Sequence, residues 1–282
     1  MAIAMSATAP DSTNIPYLHG FSRTEQERLI RQARLAESTV FHDIDMEGVR
    51  RLLEVGCGVG AQTEILLRRF PELHVTGVDL SVVQLNAALA NLGQRPWLEG
   101  RYTLQQSDAT DLPFEPRSFD GAFLCWVLEH VPSPARVLSE VRRVLSPGAP
   151  VYVTEVMNSS FLLDPYSPNV WRYWMAFNDF QYESGGDPFV GAKLGNLLLA
   201  GGFRDVTTQV KTFHFDNREP ARRKAIVDYW EELLLSASEQ LISAGKVTQT
   251  VVNDMRREMQ QVRNDPDAVF FYAFVQARAT AW

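Results

Sequence analysis

Residues 52–70 read LLEVGCGVGAQTEILLRRF. An apolar run stops at three alternate glycines, Gly56, Gly58 and Gly60, and an amphipathic stretch begins at once. Such a chain must bend sharply where a strand hands over to a helix, and glycine supplies the backbone freedom for that bend. The strand, the turn and the helix start together present backbone N–H groups at the strand's carboxyl end, where a ligand finds room.

The neighbouring text repeats the alternation. RRLLEV, HVTGVD, YTLQQS, GAFLCW and APVYVTEV read as five short, largely apolar strands, with helical stretches at 60–70, 81–92 and 134–145. Strands alternating with helices of ten or more residues imply a parallel sheet covered on both faces. A helix near 191–200 ends at Gly201-Gly202, RDVTTQVKTFHF reads as a sixth strand, two helices follow at about 219–243 and 247–263, and VFFYAFVQARA closes the chain as a strand. Before the first strand, FSRTEQERLIRQARLAESTVF is helical, with Ser22-x-x-Glu25 and Thr24-x-x-Glu27 both matching a capping box. The expected division is an unstructured tail at 1–16, a helical lid at 17–47, a core at 48–156, an aromatic cap insertion at 157–190, and completion of the sheet with two inserted helices at 191–282.

Bulk properties narrow the partners. The 282 residues are 45% hydrophobic and 22% charged with a net charge of −7, which suits a soluble globular chain and argues against a polyanion. The short basic clusters (Arg68, Arg69; Arg222, Arg223, Lys224) read as solvated helix faces, so no nucleic-acid partner is expected. MAIAMSATAPDSTN does not read as a signal peptide and no apolar run reaches membrane-spanning length, which leads us to expect a cytoplasmic protein with no membrane partner. Cys57 and Cys125 lack ligand spacing, and no metal site is expected.

The loop alone leaves two cofactors open, because Gly56-x-Gly58-x-x-Ala61 also satisfies a relaxed dinucleotide fingerprint. Glu54, two residues before the first glycine, repels pyrophosphate but suits a cofactor carrying an ammonium and a sulfonium; the lesser alternative is a pair with Arg50 or Arg51. Asp79 ends the second strand, placed to accept from ribose hydroxyls in either case. Asp108, after the third strand, offers a carboxylate to an exocyclic amine, or is a turn former.

Taken together, EVGCGVG, the Asp79 strand end, SDATDLPF (Ser107 to Phe114) and LEHVP (Leu128 to Pro132) resemble class I S-adenosylmethionine-dependent methyltransferases, in the small-molecule branch that includes ubiquinone-type and natural-product enzymes. The resemblance covers about residues 50–156 and weakens beyond. It implies a seven-stranded, mostly parallel sheet with an antiparallel last strand, and S-adenosylmethionine as cofactor. Gly56, Gly58 and Gly60 would line its methionine part with Glu54 in support. Asp79 would hold the ribose, Leu80 would pack near the adenine, and Asp108 and Ala109 would meet the adenine edge. Leu124, Cys125 and Trp126 would form the floor beneath the sulfonium. Tyr17 and Phe21 would close over it from a lid helix, or simply pack.

Methyl transfer from a sulfonium needs collinear positioning and exclusion of water; a general base is needed only if the acceptor must first lose a proton. His130 is the candidate base, or a packed histidine shaping the pocket, and Glu155 is a second candidate. Nine aromatics lie between Phe161 and Phe189, and Trp171, Trp174 and Phe177 are the candidates to meet a planar or apolar small-molecule acceptor. The same rings would also serve as a cap core or a homodimer interface. A protein or RNA methyltransferase, an NAD-dependent oxidoreductase and a non-catalytic cofactor-binding protein remain alternatives.

Overall fold

The computed structural model describes residues 4–5 and 18–282. Tyr17 and most of the tail read at 1–16 therefore lie outside the described residues; Ala4–Met5, within that tail, forms a two-residue strand, β1.

In chain order there follow α1 (Arg23–Val40), β2 (Arg51–Val55), α2 (Ala61–Arg69), β3 (His74–Asp79), α3 (Val82–Gly93), β4 (Tyr102–Gln106), β5 (Gly121–Cys125), α4 (Pro134–Val144), β6 (Pro150–Val156) and β7 (Leu162–Asp164). The rest comprises α5 (Pro168–Glu183), α6 (Leu194–Ala200), β8 (Arg204–Phe215), α7 (Pro220–Ser236), α8 (Ser238–Ser243), α9 (Gln249–Asn264) and β9 (Val269–Thr280). The sheet runs β1-β4-β3-β2-β5-β6-β9-β7, with β8 on the other edge of β9. Every pair from β1 to β6 is parallel, and β9 runs antiparallel to β6, β7 and β8. The expected seven strands are all present, and the short β1 and β7 extend them.

The pleat sorts the strands between two cores, because successive side chains point to opposite faces. Leu52, Phe123 and Tyr152 face one core, with α1, α2 and α3. Leu53, Val55, Leu124, Val151 and Val153 face the other, with α4 and α6. Apolar residues on both faces are what a sheet covered twice requires.

α1 starts at Ser22, whose Oγ accepts the Glu25 N–H at 3.2 Å. Only half of the expected capping box forms. The Glu25 carboxylate turns to Arg28 instead, at 2.6 and 2.7 Å, in a buried pair whose guanidinium also donates to Tyr229 Oη at 2.8 Å. That bond ties α1 to α7. The C-terminal end of α1 is held by Gln276, whose Nε2 donates to the Val40 carbonyl and to Thr154 Oγ1.

The stretch 157–190 carries no clear period in sequence, yet nearly half of it is the sixteen-residue α5. Val170, Tyr173, Trp174, Phe177, Asn178 and Gln181 form its buried face. The helical stripe is masked because its outward positions are also aromatic or apolar: Met175 and Tyr182 are exposed on the same helix.

Candidate active site

The glycine loop is built by its neighbours. Gly56 N and Cys57 N donate to the Val78 carbonyl at 2.8 and 3.0 Å, and Gly58 N donates to Asp79 Oδ2 at 2.9 Å. Gly56, Gly58 and Gly60 have φ of 69°, 49° and 71°. At Gly56 a Cβ would also collide with the Val127 side chain, so the close approach as well as the backbone demands glycine there.

These loops open on a cavity of about 310 Å³ at the carboxyl ends of the central strands. One end is polar and carries Gly56, Gly58, Asp79, Leu80, Asp108 and Ala109. Asp79 holds Ser81 N through Oδ1 at 2.8 Å as well as Gly58 N through Oδ2. Burial raises its carboxyl above the usual range, and those backbone donors oppose the rise. Asp108 Oδ1 accepts from Thr110 N and Oγ1 at 2.8 and 2.7 Å, so it is the anchor of its own turn while still lying on the wall.

The other end is apolar. Trp174 and Phe177 of α5 stack at 5.2 Å, and Tyr229 and Trp230 of α7, Phe213 of β8 and Tyr272 of β9 join them on the wall. Cys125 and Trp126 lie between the two ends, and Phe21, His19 and Arg28 close the cavity from the α1 side.

Several expected positions do not reach the cavity. Leu124 is fully buried in the core on the α4 face, because its pleat position is opposite to that of Cys125. Gly60 sits behind the loop as the N-cap of α2, packed near Leu92. Glu54 is buried beneath the loop, its Oε2 accepting from Thr63 Oγ1 at 2.6 Å. Burial pushes its carboxyl up to about 8, opposed by that bond and reinforced by the charge of Asp79. Trp171 packs on Phe161 away from the wall.

Glu155 is off the wall too. It is fully buried, with Oε1 accepting Val127 N at 2.9 Å and Leu128 N at 2.7 Å. Burial pushes it up to about 8, with the nearby Glu129 adding to the rise. A carboxyl walled off from the cavity cannot take a proton from a bound acceptor. It braces the exit of β5, where Trp126 adopts φ 57°, a left-handed conformation rare for a large side chain. His130 does line the cavity, with Nε2 3.6 Å from Glu129 Oε1.

Sequence reasoning missed His19, Arg28, Glu129, Asn158, Tyr229, Trp230 and Tyr272 on this wall. For α7 a signal existed: Ile226, Tyr229, Trp230 and Leu233 follow helical i, i+3, i+4, i+7 spacing, and all four line the cavity. His19 has no such signal. Its Nδ1 lies 2.6 Å from Ser236 Oγ, 217 residues away in sequence, and burial holds its ring well below the usual imidazole range. Among the described residues no cluster of histidine, cysteine and carboxylate side chains has the geometry to hold a metal ion, and no helix is long and apolar enough to cross a membrane.

A family model described as a methyltransferase domain matches residues 53–153. The O-methyltransferase cnsE of Penicillium expansum is 34% identical over 159 residues, 55% of this chain and 53% of its own length. The sterol 24-C-methyltransferase ERG6B of Gibberella zeae is 33% identical over 112 residues, 40% of this chain and 29% of its own length. This chain thus spans about half the length of the first relative and under a third of the second. Among solved structures, Haemonchus contortus phosphoethanolamine N-methyltransferase 2, in complex with phosphomonomethylethanolamine and S-adenosylhomocysteine, superposes with a TM-score of 0.58 at 17% identity, over 94% of this chain and 60% of that one. At that identity the likeness is one of fold. The glycine loop and the Asp79 strand end both fall within residues 53–153, the segment that matches the methyltransferase domain.

Proposed function

We propose that this protein transfers the methyl group of S-adenosylmethionine to a small planar or apolar organic acceptor by in-line displacement. The observation that carries the reading is that one continuous cavity joins the glycine-loop end to the aromatic end. The wall suits the cofactor's parts. Each Asp79 oxygen accepts one backbone N–H and retains a lone pair for a ribose hydroxyl. Asp108 and Ala109 stand where an adenine edge would lie, and Leu80 offers it an apolar contact. Trp126 Nε1 and Gln62 Oε1, on residues lining the same cavity, have no hydrogen-bond partner among the described residues.

Bound there, the sulfonium would supply an activated methyl group whose leaving group is a neutral thioether. The protein's part is positional. Gly56 and Gly58 leave room beside the methionine, while Cys125 and Trp126 form the floor on which the reacting atoms line up. The aromatic end holds the acceptor and excludes water. Trp174 and Phe177 would contact it, and His130 would receive a proton where the acceptor must lose one. Phe21 and α1 would cover the cofactor. The small-molecule assignment is supported by the aromatic wall of the cavity, the net charge of −7 and the small organic acceptors named for relatives. It goes with a cytoplasmic enzyme that has no nucleic-acid or membrane partner, and whose exposed Tyr166, Met175 and Tyr182 offer a surface to a second copy.

The test is methyl-labelled S-adenosylmethionine incubated with the purified protein and a host extract separated by size. Label in the small-molecule fraction is expected. Label confined to macromolecules would overturn the acceptor class, and failure to bind S-adenosylmethionine would overturn the reading altogether.

A further inference from the structure

We propose that the acceptor is an amine which binds as its ammonium, with Glu129 as counter-ion and the aromatic rings of the cavity around it. The inference rests on the methyltransferase reading and names the substrate class of that same site.

Glu129 belongs to the short turn after β5, lines the cavity and is 8% exposed. Its backbone is fixed. The carbonyl accepts Asp187 N at 2.9 Å and Gln181 Nε2 at 3.3 Å, and a Cβ on Gly186 would strike that same oxygen. The carboxyl is aimed by Gln181, whose Nε2 donates to Oε2 at 2.9 Å. Among the described residues no lysine or arginine lies within ion-pair distance of it; the nearest basic group is His130 Nε2, 3.6 Å from Oε1. Buried Glu155 nearby adds a second carboxyl rather than a cation. Burying a carboxylate without a paired cation is costly unless a ligand completes the pair.

The remaining wall charges do not complete it. Arg28 is bound through two nitrogens to buried Glu25 and also donates to Tyr229 and Gln32. Asp79 and Asp108 are negative and stand at the nucleoside end. Meanwhile the rings lead up to Glu129. Phe177 and Gln181 are four residues apart on the buried face of α5, so the helix that presents a ring to the cavity also holds the carboxyl. Trp174, Trp230, Tyr229 and Tyr272 continue the wall. Ring faces attract an ammonium and a carboxylate neutralises it; the same lobe repels a phenolate or a carboxylate substrate.

Methylation then requires a free lone pair. The ammonium gives one proton to Glu129, and the neutral nitrogen forms the new N–C bond as the C–S bond breaks and its electron pair stays on sulfur. The products are a methylated ammonium, a neutral thioether and one proton, which Glu129 hands to His130, 3.6 Å away, and His130 to solvent.

Three probes share a ring and chain and differ only in head group: phenethylamine, 2-phenylethanol and phenylacetate. Each is titrated into protein saturated with S-adenosylhomocysteine, with binding read from tryptophan fluorescence, since Trp126, Trp174 and Trp230 line the cavity. The amine is expected to bind about tenfold more tightly than the alcohol, with the acid weakest. Glu129→Gln should bring amine and alcohol within about twofold of one another while leaving S-adenosylhomocysteine affinity unchanged. Equal binding of amine and alcohol by the wild type, or no amine binding, overturns the proposal without need of any variant. An amine preference that survives in Glu129→Gln also overturns it. So does a Glu129→Gln loss confined to S-adenosylmethionine, which would make Glu129 the partner of the cofactor's sulfonium. Wild-type protein that fails to bind S-adenosylhomocysteine sinks the methyltransferase reading itself, whereas intact binding without amine preference sinks only the acceptor class.

Discussion

Asp79, at the carboxyl end of β3, accepts the backbone N–H of Gly58 through Oδ2 at 2.9 Å. The residue expected to hold the ribose thus also sets the loop expected to hold the methionine. Asp79→Asn keeps the size but turns an amide N–H₂ toward one of two backbone donors, Gly58 N or Ser81 N, a mismatch of about 1–3 kcal/mol. S-adenosylmethionine affinity should fall roughly ten- to hundredfold, and further in Asp79→Ala. Isothermal titration of both variants checks this, and unchanged affinity in Asp79→Ala would remove Asp79 from the site.

Two neighbouring glycines should respond differently to alanine. Both have positive φ, but a Cβ at Gly58 meets nothing within 4 Å, whereas one at Gly56 runs into Val127. Gly58→Ala is expected to cost about 1–2 kcal/mol of stability from backbone strain alone. Gly56→Ala adds overpacking of about 1–3 kcal/mol. Denaturant titration should rank them so, and the double change Gly56→Ala with Val127→Ala should recover part of the second loss.

Glu155 braces the turn that carries Trp126. Glu155→Ala strands the buried Val127 and Leu128 N–H groups, at about 1–3 kcal/mol each. Glu155→Gln retains an acceptor oxygen and should lose much less. A red shift of tryptophan emission in the alanine variant alone would report release of Trp126; equal behaviour of the two variants would deny the brace.

The pH dependence of stability follows from two buried acids. Glu54 and Glu155 are both pushed up to about 8 by burial, from an ordinary 4.5. The folded chain therefore keeps protons that the unfolded chain releases above about 4.5, so their contribution is full below that pH and is lost as pH rises through about 8. His19 acts oppositely, since burial keeps it neutral in the fold while the unfolded ring takes a proton below 6.5. Between pH 6.5 and 8 only the acids act, and the melting temperature should fall. Differential scanning calorimetry should show a shallower fall in Glu54→Gln.

The glycine-loop end was legible because its signals are local. Gly56, Gly58, Asp79 and Asp108 each sit at a strand end, and in a parallel sheet all strand ends of one kind gather at one edge. Leu124 and Cys125 show the limit of that legibility: adjacent in sequence and both apolar, they part company because the pleat turns one to the α4 core and the other to the cavity. Glu155 fails for a similar reason, since a strand-end carboxyl reads alike whether it faces a ligand or two backbone N–H groups.

By itself the sequence determined the alternating α/β sheet, the glycine turn and the carboxylates at the strand ends, since these depend on backbone propensity and on residues within a few positions of one another. The tertiary structure alone decided the aromatic end of the cavity. Glu129 meets Gln181 across 52 residues, Arg28 meets Tyr229 across 201, and His19 meets Ser236 across 217. Contacts of that separation arise from how α1, α5 and α7 pack over the sheet, and no local pattern encodes which buried polar group will find which partner.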